Sequence, residues 1–270
     1  MWTPIVLVAA LALAPAQAPA GGLALSNVRS TYGELGGARP GSPLLPGDVL
    51  FVCFDIEGIT IDPEGKVQYT MGMDILDKAG KTFYKTDPST KADFVPLGGG
   101  KLPGRAYVSV GLDQPPGDYT MKVTVTDTAN KATKTLEQKF SVLGKDFGVV
   151  AVYASIDERG QIPAPTTAIV GQSVFVQFGV VGFARGGDKK QPNVSIEMVP
   201  LDEKGNPTIQ KPSVFNLDAG VDEKDAGITV RFLLPLTRPG KFTVRLKATD
   251  KVVNKTYTFN LPITALLSAN

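Results

Sequence analysis

The chain has 270 residues, 20% charged and 43% hydrophobic, the balance of a folded globular protein rather than a disordered one. Its formal charge of +2 is too small to imply nucleic acid or an anionic membrane surface as a partner. It contains no histidine and one cysteine, Cys53, which removes Ser-His-Asp and Cys-His nucleophiles, histidine-ligated zinc, thiolate metal sites and any intrachain disulfide.

Ile5 to Leu13 is almost wholly apolar, and Ala/Pro/Gln steps follow as far as Ala20. Ala16-Gln17-Ala18 and Ala18-Pro19-Ala20 both fit the small-x-small pattern read by signal peptidase. The apolar run is roughly half of the ~20 residues that a spanning helix needs. A cleaved secretory signal over residues 1–20 is therefore expected, although its first residues lack Lys and Arg. No cysteine follows the run to carry a lipid, and no later segment is apolar enough to span a membrane. The mature chain is expected to be exported to the periplasm, the cell surface or the medium.

Leu23, Leu25 and Val28 suggest a leading strand, followed by a Gly/Pro-rich stretch from Gly36 to Pro46. From Gly47 to Gly58 the chain reads GDVLFVCFDIEG, a glycine-bounded apolar run expected to be a central strand buried on both faces. Cys53 lies within it, and a buried structural thiol is expected. Val67, Tyr69, Met71, Met73 and Ile75 then alternate on one face, the pattern of a half-buried antiparallel strand. Gly80 supplies a hairpin turn, and short strands are expected at Thr82–Lys85 and Ala92–Pro96. Ala106, Val108, Val110 and Leu112 form another period-two face. After the Pro116-Gly117 turn, Tyr119, Met121, Val123 and Val125 point one way, and Leu136 to Val142 closes the unit.

The same grammar then recurs. Gly171 to Gly182 reads GQSVFVQFGVVG, and Phe147 to Ile156 leads into it. Ser195 to Leu201 with its Asp202–Asn206 turn mirrors the earlier strand and its Asp77–Lys81 turn. Ile228 to Leu234 matches Ala106 to Leu112. Pro239-Gly240-Lys241-Phe242-Thr243 matches Pro116-Gly117-Asp118-Tyr119-Thr120, and Thr249-Asp250 matches Thr126-Asp127. Tyr257, Phe259, Leu261 and Ile263 form the last strand. No sustained helical spacing appears after the signal. Short strands separated by turn signals read as antiparallel sandwiches, here two in tandem over 21–144 and 145–270.

Each half resembles a bacterial secreted immunoglobulin-like or fibronectin type III-like domain, on its Pro-Gly-x-aromatic-Thr turn, its alternating strands and its Thr-Asp ending. The resemblance implies an all-β sandwich whose loops and edges bind partners. Tyr119 stands at the place of a tyrosine corner, but Phe242 lacks the hydroxyl, so apolar packing is the expected role. Only Leu143 to Asp146 joins the halves, which favours a semi-rigid pair.

Carboxylate catalysis has one candidate pair. Asp55 and Glu57 flank Ile56 and share a strand face about 7 Å apart, but Gly179 and Val181 replace them in the second copy. Solvated strand-end charges are expected. Asp62-Pro63-Glu64-Gly65 offers oxygens to calcium but equally makes a polar turn. Asp222-Glu223-Lys224-Asp225 carries a lysine that disfavours metal, and Gly98-Gly99-Gly100 lacks the spacing of a phosphate loop. The loop from Arg185 to Lys190 is basic where the corresponding first-copy loop is acidic. Asp62 and Glu64, with Arg185, Lys189 and Lys190, are therefore the candidate ligand-loop residues. Asn193-Val194-Ser195 and Asn254-Lys255-Thr256 match the glycosylation pattern but fall where strands are expected. No catalytic residue, cofactor or metal is assigned. The expectation is a non-enzymatic exported binding protein whose partner is a protein or polysaccharide at the cell surface. A periplasmic chaperone-like assembly factor is the alternative, and a secreted carboxylate hydrolase stands behind both.

Overall fold

A computed structural model describes residues 22–41, 43–188 and 190–268; the expected signal at 1–20 lies outside them. Among the described residues every helix-or-strand element is a strand. The first half holds β1 (Ala24–Thr31), β2 (Val49–Glu57), β3 (Lys66–Asp77), β4 (Thr82–Phe94), β5 (Lys101–Ser109), β6 (Gly117–Asp127) and β7 (Thr133–Val142). The second holds β8 (Gly148–Ser155), β9 (Pro163–Ala164), β10 (Thr167–Ile169), β11 (Ser173–Val181), β12 (Arg185–Gly186), β13 (Gln191–Pro192), β14 (Val194–Leu201), β15 (Ser213–Leu217), β16 (Gly227–Pro235), β17 (Gly240–Asp250) and β18 (Lys255–Leu266).

The sheet orders repeat. The first half has β1-β2-β5 and β4-β3-β6-β7; the second has β9-β8-β11-β16 and β15-β14-β17-β18-β10. The glycine-bounded runs become the inner strands β2 and β11. Leu50, Val52, Phe54 and Ile56 of β2 turn into one apolar cluster with Met121, Val123 and Val125. Val176, Phe178 and Val180 of β11 turn into a second with Ile196, Leu246 and Leu261. Burial on both faces is corrected: Phe51, Asp55 and Glu57 are only half-buried, because their side of a three-stranded sheet is uncovered. Cys53 is the exception on that side. It is buried under the turn that follows β1, with Sγ 3.3 Å from Thr31 Oγ1. Gln177 takes its place in β11 and donates to Ser155 Oγ and the Glu158 carbonyl, both at 3.0 Å.

Details below the strand level also recur. β1 and β8 each carry a bulge with a left-handed residue, Asn27 at φ 51° and Ala151 at φ 49°. Asp127 and Asp250 are both 0% exposed. Asp127 accepts the N–H of Thr60 at 2.8 Å and Asp250 that of Ala184 at 2.6 Å. Each carboxylate thus ties the end of β6 or β17 to the loop after its half's inner strand.

Two further expectations are corrected. β4 is one strand of 13 residues, not two short ones. It is exposed throughout, so no apolar alternation marks it, and Pro88 sits at a register break over Gly72. Proline is tolerated there because β4 is an edge. Asn193 and Asn254 lie outside strands, before β14 and in the turn before β18.

The halves meet at a filled joint. Tyr32 of the first half belongs to the second apolar cluster, edge-on to Phe259 at 5.9 Å. Leu45 packs with Val150, Val181 and Tyr257. Arg39 and Asp48 form an ion pair of 2.6 Å whose side chains are 9% and 4% exposed. Asp48 Oδ1 also accepts the Ala151 N–H at 2.8 Å.

Candidate functional site

The structure places Asp62 and Glu64 on the hairpin after β2, and Arg185 and Lys190 on the matching one after β11. Asp62 Oδ1 accepts the N–H groups of Glu64 at 3.0 Å and Lys66 at 2.7 Å, so its carboxylate braces its own turn. Glu64 is exposed. The Arg185 guanidinium donates to the carbonyls of Asp222 at 2.6 Å and Asp225 at 2.8 Å and lies over Phe183. It is a strut between two loops. Lys190 approaches Glu223 at 3.9 Å, both well exposed. Lys189 lies outside the described residues. Among the described residues no hydrogen bond or ion pair joins the acidic hairpin to the basic one, and no group of three or more acids and cysteines converges as a metal cage would require.

Asp55 and Glu57 do lie on the open face of β2. Glu57 accepts from Ser26 Oγ at 2.6 Å and pairs with Lys101 at 2.8 Å. Hydrogen bonds from Lys101 and then Ser26 hold it below its ordinary 4.5. A glycosidase acid has the opposite requirement, a raised pKa.

The side chains that do converge line a groove between the edges of the two first-half sheets. Among the described residues β4 pairs only with β3, and β5 only with β2, so the sandwich is open between them. The opening holds a cavity of about 630 Å³. Its floor is Met71, Met73 and Val123, and its opposite wall is Ala106 and Val108 of β5, with Val110 just beyond the strand. On β4, Tyr84, Thr86, Ser89 and Lys91 stand opposite Ile75, Met73, Met71 and Tyr69, and so share the inward side of the sheet. That wall is polar and exposed, whereas an inward face is ordinarily apolar.

One end of the groove is aromatic. Tyr119 stacks on Phe140 at 5.6 Å, and Phe83 meets Tyr119 edge-on at 6.0 Å. The Tyr119 hydroxyl donates to the Pro115 carbonyl at 2.9 Å, which corrects the expectation of apolar packing alone. Toward the other end, burial raises the Tyr69 phenol above its ordinary 10.0; Asp93 adds to this and Arg105 opposes it.

The β5 edge is unpaired in a regular way. The Val110 N–H donates to the Asp48 carbonyl on the β2 side at 2.8 Å. Because main-chain groups alternate sides along a strand, those of Arg105, Tyr107 and Ser109 point away from β2, into the opening. The second half has a smaller counterpart of about 320 Å³ between β15 and β16. There β15 is five residues long and turns Leu217, 9% exposed, toward the core.

Sequence reasoning missed the groove. The legible signal was Tyr84 to Lys91, a polar stretch facing the Tyr69–Ile75 strand, together with two methionines where β-branched residues are usual.

No family model matches this sequence, and no curated protein does. Among solved structures it is similar to a family 123 glycoside hydrolase from Clostridium perfringens, at 13% identity and TM-score 0.32 over 46% of this chain and 28% of that one. It is also similar to red sea bream transglutaminase, at 8% identity and TM-score 0.29 over 91% of this chain and 31% of that one. The C-terminal domain of the Streptococcus pyogenes antigen I/II-family protein AspA matches at 10% identity and TM-score 0.31, over 90% of this chain and all of that one. The chain spans less than a third of the length of the first two.

Proposed function

We propose that the chain is an exported, non-catalytic pair of tandem β-sandwich domains, immunoglobulin-like or fibronectin type III-like, that binds a protein or polysaccharide at the cell surface. The domains span 21–144 and 145–270. The open groove between β4 and β5 carries the reading, because it joins an apolar floor to convergent polar groups and unpaired strand edges. The Tyr119–Pro115 hydrogen bond fits a tyrosine corner. Support for a non-catalytic role is the absence of histidine and the engagement of Glu57 by Ser26 and Lys101.

The alternative, a chaperone-like assembly factor, calls for a free cation in a cleft between the domains. Arg39 stands at the joint, but Asp48 engages it on both oxygens, so this version gains no support.

The test is a glycan array and a displayed random-peptide library, probed with the wild type and with Thr86→Arg, which places a long side chain in the groove from an exposed position. Ligands retained by the wild type and lost by the variant are expected. A wild type that retains neither class would overturn the reading.

A further inference from the structure

We propose that the groove's occupant is an extended polypeptide that adds to the sheet as a strand along β5, with an acidic residue at its Lys91–Arg105 end. This rests on the binding reading above and names the partner's chemistry.

The first ground is the main chain. Arg105, Tyr107 and Ser109 present successive N–H and C=O groups to the opening, the pattern that an incoming strand pairs with. Pro103 has the same facing and lacks an N–H, so the ladder weakens there and the paired stretch runs from Ser109 back to Arg105. β4 is the poorer template. Pro88 and a register break interrupt it, with Asp87 in the break and Lys85 shortly before it, which are the devices that blunt an edge.

The second ground is shape and polarity. A strand on β5 would send alternate side chains down onto Met71, Met73 and Val123, where Ala106 and Val108 leave room. Its other side chains would stand in solvent beside Tyr107, which stacks on Phe51 on the outer face. The occupant is therefore apolar at every second position. A polysaccharide would find the hydroxyls of β4 but would leave the β5 edge unpaired.

The third ground is charge. Among the described residues the charged ones lining the groove are Lys91 and Arg105; Asp93, which acts on Tyr69, does not line it. Arg105 pairs with Glu34 outside the groove, while Lys91 has no ion-pair partner among the described residues. An acidic residue on the incoming strand would complete that end.

The test uses the full chain and a displayed library of random nine-residue peptides. Recovered peptides should alternate apolar and polar positions, and changing a terminal Glu to Lys should weaken binding up to about fivefold. N-methylation of one amide at a time in the best synthetic peptide should cost roughly tenfold at every second position and little between. Tyr107→Pro should abolish binding with an unchanged circular dichroism spectrum, because the lost N–H faces the opening; Tyr107→Phe should bind as the wild type does. Methylation losses without a two-residue period, or peptide binding untouched by Tyr107→Pro, overturn strand addition. A glycan captured by the wild type and lost with Thr86→Arg, with no peptide recovered, leaves the binding reading standing and overturns this one. Recovery of neither overturns both.

Discussion

Asp127 is wholly buried, and no lysine or arginine pairs with it among the described residues. Burial pushes its pKa up, but hydrogen bonds from Thr60 and from the backbone N–H groups of Ala129 and Asn130 outweigh that and hold it below 3.8. Its folded pKa lies under the unfolded one, so its contribution is complete above the unfolded value and is lost as pH falls through the folded value. Thermal unfolding followed from about pH 7 down to about pH 2.5 should show Tm falling below roughly pH 4, and Asp127→Asn should flatten part of that fall. The same substitution at neutral pH should cost about 1–3 kcal/mol, since it disturbs the acceptor for buried N–H groups. At Tyr119 the interaction is neutral and singular: Tyr119→Phe loses only the bond to Pro115 and should cost about 1 kcal/mol in urea unfolding. The Asp residues were legible as a repeated Thr-Asp ending, but their burial was not. Their partners Thr60 and Ala184 lie more than sixty residues away in sequence.

At the scale of elements, the paired bulges of β1 and β8 show how a repeated fold tolerates different residues. Asn27 takes the left-handed conformation at low cost, whereas Ala151 bears the full Cβ penalty. Ala151→Gly keeps the N–H that Asp48 accepts and should raise stability by roughly 0.5 kcal/mol, read as a higher urea midpoint with an unchanged slope. A fall in the midpoint would show that glycine's gain in unfolded-state entropy outweighs the strain. The strands β3, β6 and β7 were visible in sequence because each has one buried face and therefore alternates, and β2 was visible as a continuous apolar run bounded by glycines. Only the two ends of β4 were read, as separate short strands, because an edge strand exposed on both faces has no period to join them.

For the whole molecule, the decisive feature is the joint. Asp48 receives Arg39 from its own half and the Ala151 N–H from the other, nearly sealed from solvent. Removing one partner of a buried pair strands the other, so Asp48→Ala should cost about 3–5 kcal/mol. Because the contact spans both halves, differential scanning calorimetry should resolve one transition in the wild type into two in the variant. A single, merely shifted transition would mean that Asp48 serves its own half alone. The Leu143–Asp146 link already implied restricted motion, yet it could not show that Tyr32, Arg39 and Leu45 reach across to the second half.

The doubled order of strands, the inner position of the two glycine-bounded runs and the absence of a disulfide follow from sequence alone, because alternation, turn residues and cysteine count are local properties. The groove and the joint follow only from tertiary structure. An open sheet edge is defined by the neighbour it lacks, and a joint by residues about a hundred positions apart, as Asp48 and Ala151 are. Neither leaves a period or a motif in the chain, and so the all-β class and the repeated run of strands could be read in advance while the groove and the joint could not.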